Sequence, residues 1–157
     1  MDRSLRGGVL LPTHCIKYLD SDSKIRQVVR KMNKFFRHSL YTDKNFENTL
    51  CKIVSCANVV VAYNIDVIGM VAFYANDYVN KISYITLIVT DIEYQNKGIA
   101  TELFNICEYY AKSKGMKSLN LEVWKDNLNA IAFYKNKGMH FLEKKSESSY
   151  FMAKLLY

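Results

Sequence analysis

Ile25, Val28, Val29, Met32, Phe35 and Phe36 recur at the three- and four-residue spacing of an amphipathic helix. Ser21, Asp22 and Ser23 precede it as N-cap candidates. Phe46, Leu50 and Ile53 predict a second, short helix after Thr42-Asp43. The period then changes. Asn58–Tyr63, Val67–Tyr74 and Lys81–Thr90 predict three strands rich in β-branched residues. The turns Asn64-Ile65-Asp66 and Asn76-Asp77 separate them, which reads as an antiparallel meander. Helical spacing returns at Ile99, Leu103, Ile106, Cys107 and Tyr110, with Lys112 and Lys114 in the last turn and Gly115 as the stop. Ser118–Trp124 alternates as a strand, and Asn127–Lys137 predicts a helix closed by Gly138. Met139–Glu143 and Ser149–Leu156 predict two final strands around the polar turn Lys144–Ser148. From about Cys15 the order is β-α-α-β-β-β-α-β-α-β-β. The strand–helix–strand path from 81 to 124 needs a crossover, so the sheet is mixed and the class is α/β.

Composition narrows the class. The chain has 157 residues, half of them hydrophobic, 24% charged and only one proline. That predicts a single packed domain over residues 15–157 and excludes disordered or low-complexity chains. Residues 1–14 read as a leader whose apolar patch, Val9–Pro12, is too short for a secretory signal. No apolar run approaches membrane-spanning length, so no membrane partner is expected. Cys15, Cys51, Cys56 and Cys107 form no C-x-x-C pair, and His14, His38 and His140 lie far from Cys51 and Cys56. Reduced thiols in a cytoplasmic protein are expected, with no metal site.

Charge adds an asymmetry. The net charge is +7, of which residues 1–90 carry +5. Lys24, Arg26, Arg30, Lys31, Lys34 and Arg37 follow one another without an acid. This permits an acidic partner, whether a phosphorylated ligand, a nucleic acid or a membrane surface. A nucleic-acid-binding module built on this helix is an alternative. It lacks a helix-turn-helix or an RNA-binding aromatic signature, so nucleic acid is not the expected partner.

The segment Thr90–Thr101 leaves a strand and opens a helix. Gly98 and Ala100 remove side-chain bulk where free N–H groups and the helix dipole make an anion site. The segment is neither a Walker loop nor a dinucleotide fingerprint. A phosphate cradle and a plain strand–helix turn containing a glycine both account for these local features.

Two motifs carry a resemblance. Gln95-x-x-Gly98-x-Ala100 resembles the acetyl-CoA-binding signature of the GNAT N-acetyltransferases, [QR]-x-x-G-x-[GA]. Asn127-Leu-Asn-Ala130-Ile-Ala-Phe-Tyr134-Lys-Asn-Lys-Gly138-Met139 is similar to the family's N-x-x-A-x-x-x-Y-x-x-x-G-F, with Met139 for the usual phenylalanine. The strand Leu119–Val123 lies between them, and the element order agrees along nearly the whole chain. The resemblance implies the GNAT acyl-CoA N-acyltransferase fold. That is a twisted, mostly antiparallel sheet, splayed between its two middle strands and flanked by about four helices.

The resemblance also implies a site for acetyl-CoA. The backbone of Ile88, Val89 and Thr90 would hold the pantetheine arm and the acetyl group. The pyrophosphate would rest on the N–H groups of Gln95, Asn96, Lys97, Gly98, Ala100 and Thr101, with Ile99 opening the helix among them. Asn127 matches the residue that bonds the cofactor arm, and it serves equally as a helix N-cap. Tyr134 matches the tyrosine beside the cofactor sulfur, where a phenol can protonate a departing thiolate; a core aromatic is its other reading. Ile82–Thr90 lacks the glutamate that many relatives carry there. Glu122 on the next strand and a water chain through Tyr84 or Thr86 are the alternatives for the base.

The implied activity is N-acetyl transfer to a primary amine of a small molecule or peptide, by direct attack in a ternary complex. In this family the first helices and last strand pair surround the amine. Here those regions offer Arg37, His38, Tyr41, Tyr74, Tyr84, Ser149 and Tyr150, a basic, tyrosine-rich wall that suits an anionic acceptor. A non-catalytic acyl-CoA-binding protein of the same fold is the alternative. A monomer or a homodimer is expected.

Overall fold

The computed structural model describes residues 14–36, 43–144 and 146–157. Seven strands form one sheet: β1 (Cys15–Leu19), β2 (Asn58–Tyr63), β3 (Val67–Asp77), β4 (Ile82–Thr90), β5 (Ser118–Trp124), β6 (His140–Phe141) and β7 (Ser149–Leu155). Four helices flank it: α1 (Asp22–Met32), α2 (Asp43–Cys56), α3 (Ile99–Ser113) and α4 (Leu128–Asn136). The strand order is β1-β2-β3-β4-β5-β7-β6. Every neighbouring pair is antiparallel except β4–β5, where the α3 crossover imposes a parallel pairing.

Each face of the sheet carries its own core. On one face Leu103, Phe104 and Cys107 of α3 and Ile131 and Tyr134 of α4 cover Phe73, Leu119 and Leu121. On the other, Ile25, Val28, Val29 and Met32 of α1 and Leu50 and Ile53 of α2 cover Val59, Met70 and Leu87. Each such aliphatic side chain contributes on the order of 1.5–3 kcal/mol by leaving water.

Several boundaries differ from those the sequence predicts, each for a local reason. The first helix ends at Met32, and Asn33–Phe35 continue as a 3-10 turn before Phe36 becomes extended (ψ 131°). A 3-10 turn keeps an i, i+3 period, so Phe35 still packs on the α1–α2 core without being α-helical. The second helix runs 14 residues. β3 extends through Asn76-Asp77, because the true turn follows it. Asp77 Oδ1 accepts the Asn80 N–H at 2.9 Å, and Lys81 takes a positive φ of 59°, so β4 starts at Ile82. The expected strand Met139–Glu143 shrinks to His140–Phe141 paired with β7, followed by one further bond from the Leu142 N–H to Phe151 O at 2.8 Å. Asn127 caps α4 from outside the helix.

The feature that opens a site is in the middle of the sheet. β4 and β5 pair only where Ile82–Ile85 meet Ser118–Leu121, and beyond that the strands part. The parting coincides with a β-bulge. Ala72 pairs with Leu87 but Phe73 with Ile85, which leaves Thr86 as the extra residue. The bulge also switches faces: Ile85 joins the α3–α4 core, while Leu87 and Val89 join the α1–α2 core.

Gly69 fixes where α3 starts over this gap. A Cβ on Gly69 would lie 2.9 Å from Ile99 Cγ2 and 3.4 Å from Leu103 Cδ1. Ile99 is buried and cannot swing away. The substitution Gly69→Ala is therefore expected to lower stability by about 1–3 kcal/mol, read by urea denaturation. Unchanged stability would show that α3 can lift without cost.

Candidate active site

The gap between β4 and β5 continues into two chambers that share a wall. The larger, about 740 Å³, lies against the start of α3. The smaller, about 310 Å³, lies beneath α2 and the end of β5. Phe36, Ile88, Asn127, Ala130 and Tyr134 border both.

The larger chamber holds most of the sequence-predicted cofactor residues. Val89, Thr90, Gln95, Asn96, Gly98 and Ile99 line it, as do Ala100 and Thr101. Gly98 is the N-cap of α3 with φ 83° and ψ 1°, a left-handed conformation that glycine adopts without strain. A Cβ there would meet nothing within 4 Å, so the space in front of it is open. The first intrahelical bond is donated by Glu102 N to Gly98 O at 3.0 Å. The N–H groups of Ile99, Ala100 and Thr101 therefore have no helical carbonyl to bond. The Gln95 N–H donates to Ile92 O at 3.4 Å and closes a 3-10 turn over Ile92–Tyr94 that the sequence pattern did not predict. Lys97 does not line the chamber; its Nζ sits 5.1 Å from the centre of the Tyr94 ring.

Backbone direction along β4 follows from one bond. The Asp91 N–H donates to Ile68 O of β3 at 2.8 Å. Antiparallel alternation then turns the N–H and C=O of Val89 toward β3, and those of Ile88 and Thr90 toward the gap. Thr90 O accepts from Gln95 Nε2 at 3.4 Å. Thr90 Oγ1 is buried and has no hydrogen-bond partner among the described residues. An orphaned hydroxyl of this kind costs about 1–3 kcal/mol, which a polar ligand in the chamber would recover.

At the shared wall, Asn127 Oδ1 accepts the Ala130 N–H at 3.2 Å, so the N-cap reading holds, and the same residue borders both chambers. Tyr134 is 8% exposed, with its ring tilted against Phe104 and edge-on to Phe133. Burial pushes its phenol above the ordinary tyrosine range, and proximity to Cys107 adds to this. The group is a neutral O–H donor throughout the physiological range.

The smaller chamber gathers Tyr84, Thr86, Glu122 and Ser149. Glu122 accepts a short hydrogen bond from Ser149 Oγ. Burial, and next the nearby Glu122, push the Tyr84 phenol up to about 12. Thr49 of α2, Trp124 and Phe36 complete the walls. These three were missed in the sequence because each reads as ordinary helix or strand patterning. The one signal was that Trp124 is the chain's only tryptophan and closes the strand just before Asn127. Two predicted acceptor residues line neither chamber. Tyr74 lies under Lys52 Nζ, 5.4 Å from its ring centre, and Tyr150 packs against Phe141 with the rings tilted by 50° and their centroids 4.7 Å apart. Arg37, His38 and Tyr41 lie outside the described residues, as does most of the 1–14 leader.

Among the described residues no lysine or arginine lines either chamber. Part of the basic surface of α1 is neutralised locally: Arg30 pairs with Glu47 at 2.7 Å and Lys31 with Asp66. No group of three or more potential metal ligands is found among the described residues, and no helix among them is long and apolar enough to cross a membrane.

The sheet is thus split at a bulge, with a helix N-terminus at the mouth of the split. The Acetyltransferase (GNAT) family model matches residues 25–141, and the chain belongs to that family. Solved structures agree in fold. Ard1 from Thermoplasma volcanium is 20% identical with a TM-score of 0.74, over 92% of this chain and 99% of that one. An acetyltransferase from Streptococcus agalactiae is 15% identical with a TM-score of 0.77, over 93% and 100%. The ribosomal-protein-S18-alanine N-acetyltransferase from Escherichia coli is 16% identical with a TM-score of 0.71, over 91% and 94%. No curated protein matches the sequence significantly.

Proposed function

We propose that the protein is an acetyl-CoA-dependent N-acetyltransferase acting on a primary amine in a ternary complex. The observation that carries this reading is the pair of chambers meeting at Ile88, Asn127 and Tyr134. One has backbone donors at a helix start, and the other has a carboxylate held by a buried serine.

The residues of the larger chamber fit the cofactor. The free N–H groups from Ile99 to Thr101 suit a pyrophosphate, and the unpartnered Thr90 Oγ1 awaits a polar group. When bound, acetyl-CoA supplies an acetyl group activated as a thioester. The backbone N–H groups of Ile88 and Thr90, turned toward the gap, are the donors available to a developing oxyanion. Glu122, with Tyr84 beside it, takes the proton from the attacking amine. Tyr134, at the junction of the chambers, would give its hydroxyl proton to the thiolate released as the thioester C–S bond breaks. The site thus separates a proton acceptor and a proton donor by position.

The test is a thermal shift with acetyl-CoA followed by thiol release against a panel of primary amines. A rise in melting temperature with acetyl-CoA and amine-dependent thiol release are expected. Stabilisation without turnover on any amine would favour a non-catalytic acyl-CoA-binding protein, and no stabilisation would remove the cofactor from the account.

A further inference from the structure

The smaller chamber has a charge opposite to that of the whole chain. Among the described residues Glu122 is the only charged side chain that lines it. Its carboxylate is held in place by the neighbouring turn. Ser149 is 3% exposed and donates Oγ to Glu122 Oε1, and the Ser146 Oγ lies 3.0 Å from the same hydroxyl. Lys125 does not neutralise it: Nζ donates to Ser146 O at 2.7 Å. The walls around the carboxylate are aromatic, with Phe36, Tyr84 and Trp124 bordering the chamber. A carboxylate among aromatic faces is an arrangement that holds a cation, through a charge-assisted hydrogen bond and through the ring quadrupoles.

We propose that the acceptor is a small cationic amine that carries no carboxylate or phosphate near its amino group, docked between Glu122 and the wall formed by Tyr84 and Trp124. This rests on the acetyltransferase reading above and reverses the anionic acceptor that composition suggested. That expectation depended on Arg37, His38 and Tyr41, outside the described residues, and on Tyr74 and Tyr150, which line neither chamber. The chamber volume of about 310 Å³ stands at the small end of ligand sites, in keeping with a compact molecule. An anionic group held about 5 Å from this exposed carboxylate, at an effective permittivity of about 25 to 50, weakens binding by about one to two orders of magnitude.

The experiment titrates two matched pairs into the protein saturated with coenzyme A, by calorimetry at low ionic strength. The pairs are tyramine against tyrosine, and phenethylamine against phenylalanine, which differ only by a carboxylate next to the amino group. The cationic member of each pair is expected to bind about 10- to 100-fold more tightly, and Glu122→Gln is expected to erase that preference. Glu122 is exposed on β5 and glutamine keeps an acceptor for Ser149, so the variant retains its fold, which its melting temperature checks. Equal or tighter binding of the carboxylate-bearing members overturns the proposal. So does a preference that survives Glu122→Gln, or no binding of either cationic amine to the coenzyme A complex. Absence of coenzyme A binding in the first step is instead the failure of the acetyltransferase reading, and the two failures are thereby distinguished.

Discussion

Tyr134→Phe is expected to lower kcat about 100-fold while leaving acetyl-CoA affinity unchanged. The substitution removes one oxygen from a ring that keeps its packing against Phe104 and Phe133. No bonding partner for that oxygen is found among the described residues, so the melting temperature should not fall. The effect therefore appears in turnover alone. Its pH dependence has a defined sign. Burial raises the phenol, so the proton-bearing form persists as pH rises through the ordinary tyrosine value near 10. Any loss of activity below that pH arises elsewhere. Steady-state kinetics with a turned-over amine, alongside calorimetry with acetyl-CoA, make the measurement. An unchanged kcat would remove Tyr134 from the chemistry and leave it a core aromatic.

Gly98→Glu carries the other large effect, a loss of acetyl-CoA affinity of about 100- to 1,000-fold. Two causes contribute and can be separated. The left-handed backbone at Gly98 strains any other residue by about 1–2 kcal/mol. The new carboxylate would also stand in the open space before the α3 N–H groups, where a pyrophosphate would be repelled. Gly98→Asn is the control, because asparagine tolerates positive φ and adds no charge. It should lose about tenfold or less. Retained affinity in Gly98→Glu, measured by calorimetry on folded protein, would remove the cradle from this helix start.

The two chambers differ sharply in how far the sequence reveals them. Half of the larger one's lining comes from the single segment Thr90 to Thr101, so that part of its chemistry is written locally, in a glycine placed where a strand gives way to a helix. β2 and β5 were legible to the residue, because the continuous apolar run of the one and the apolar and polar alternation of the other stop at polar, turn-forming side chains. The bulge at Thr86 was not, since a slip of register leaves no side-chain signature. Nor was the orphaned Thr90 Oγ1, which depends on what packs around it.

The smaller chamber draws Thr49, Tyr84, Glu122 and Ser149 from four elements spread over a hundred residues. Periodicity can place each on a strand or helix face but cannot bring the faces together. The same limit applies to the tyrosines. Tyr74, Tyr84 and Tyr150 look alike in the sequence, yet only Tyr84 stands where β4 leaves β5. Tyr150 is in register with Val123 rather than with Glu122, and its ring packs against Phe141 instead of lining the chamber.

Charge behaved similarly. The basic run from Lys24 to Arg37 is a property of the first helix and the segment after it, and its described members line neither chamber. Among the described residues the one charged side chain that lines the smaller chamber is a carboxylate, Glu122, which the bulk composition hides.

The most direct test of the central claim is the crystal structure of the protein with coenzyme A. The account predicts the pyrophosphate within hydrogen-bond distance of the N–H groups from Ile99 to Thr101. It also predicts the pantetheine arm along the open edge of β4 at Ile88 and Thr90, and the thiol beside the Tyr134 hydroxyl. Coenzyme A bound elsewhere, or bound with its thiol remote from Tyr134 and the smaller chamber, would contradict it.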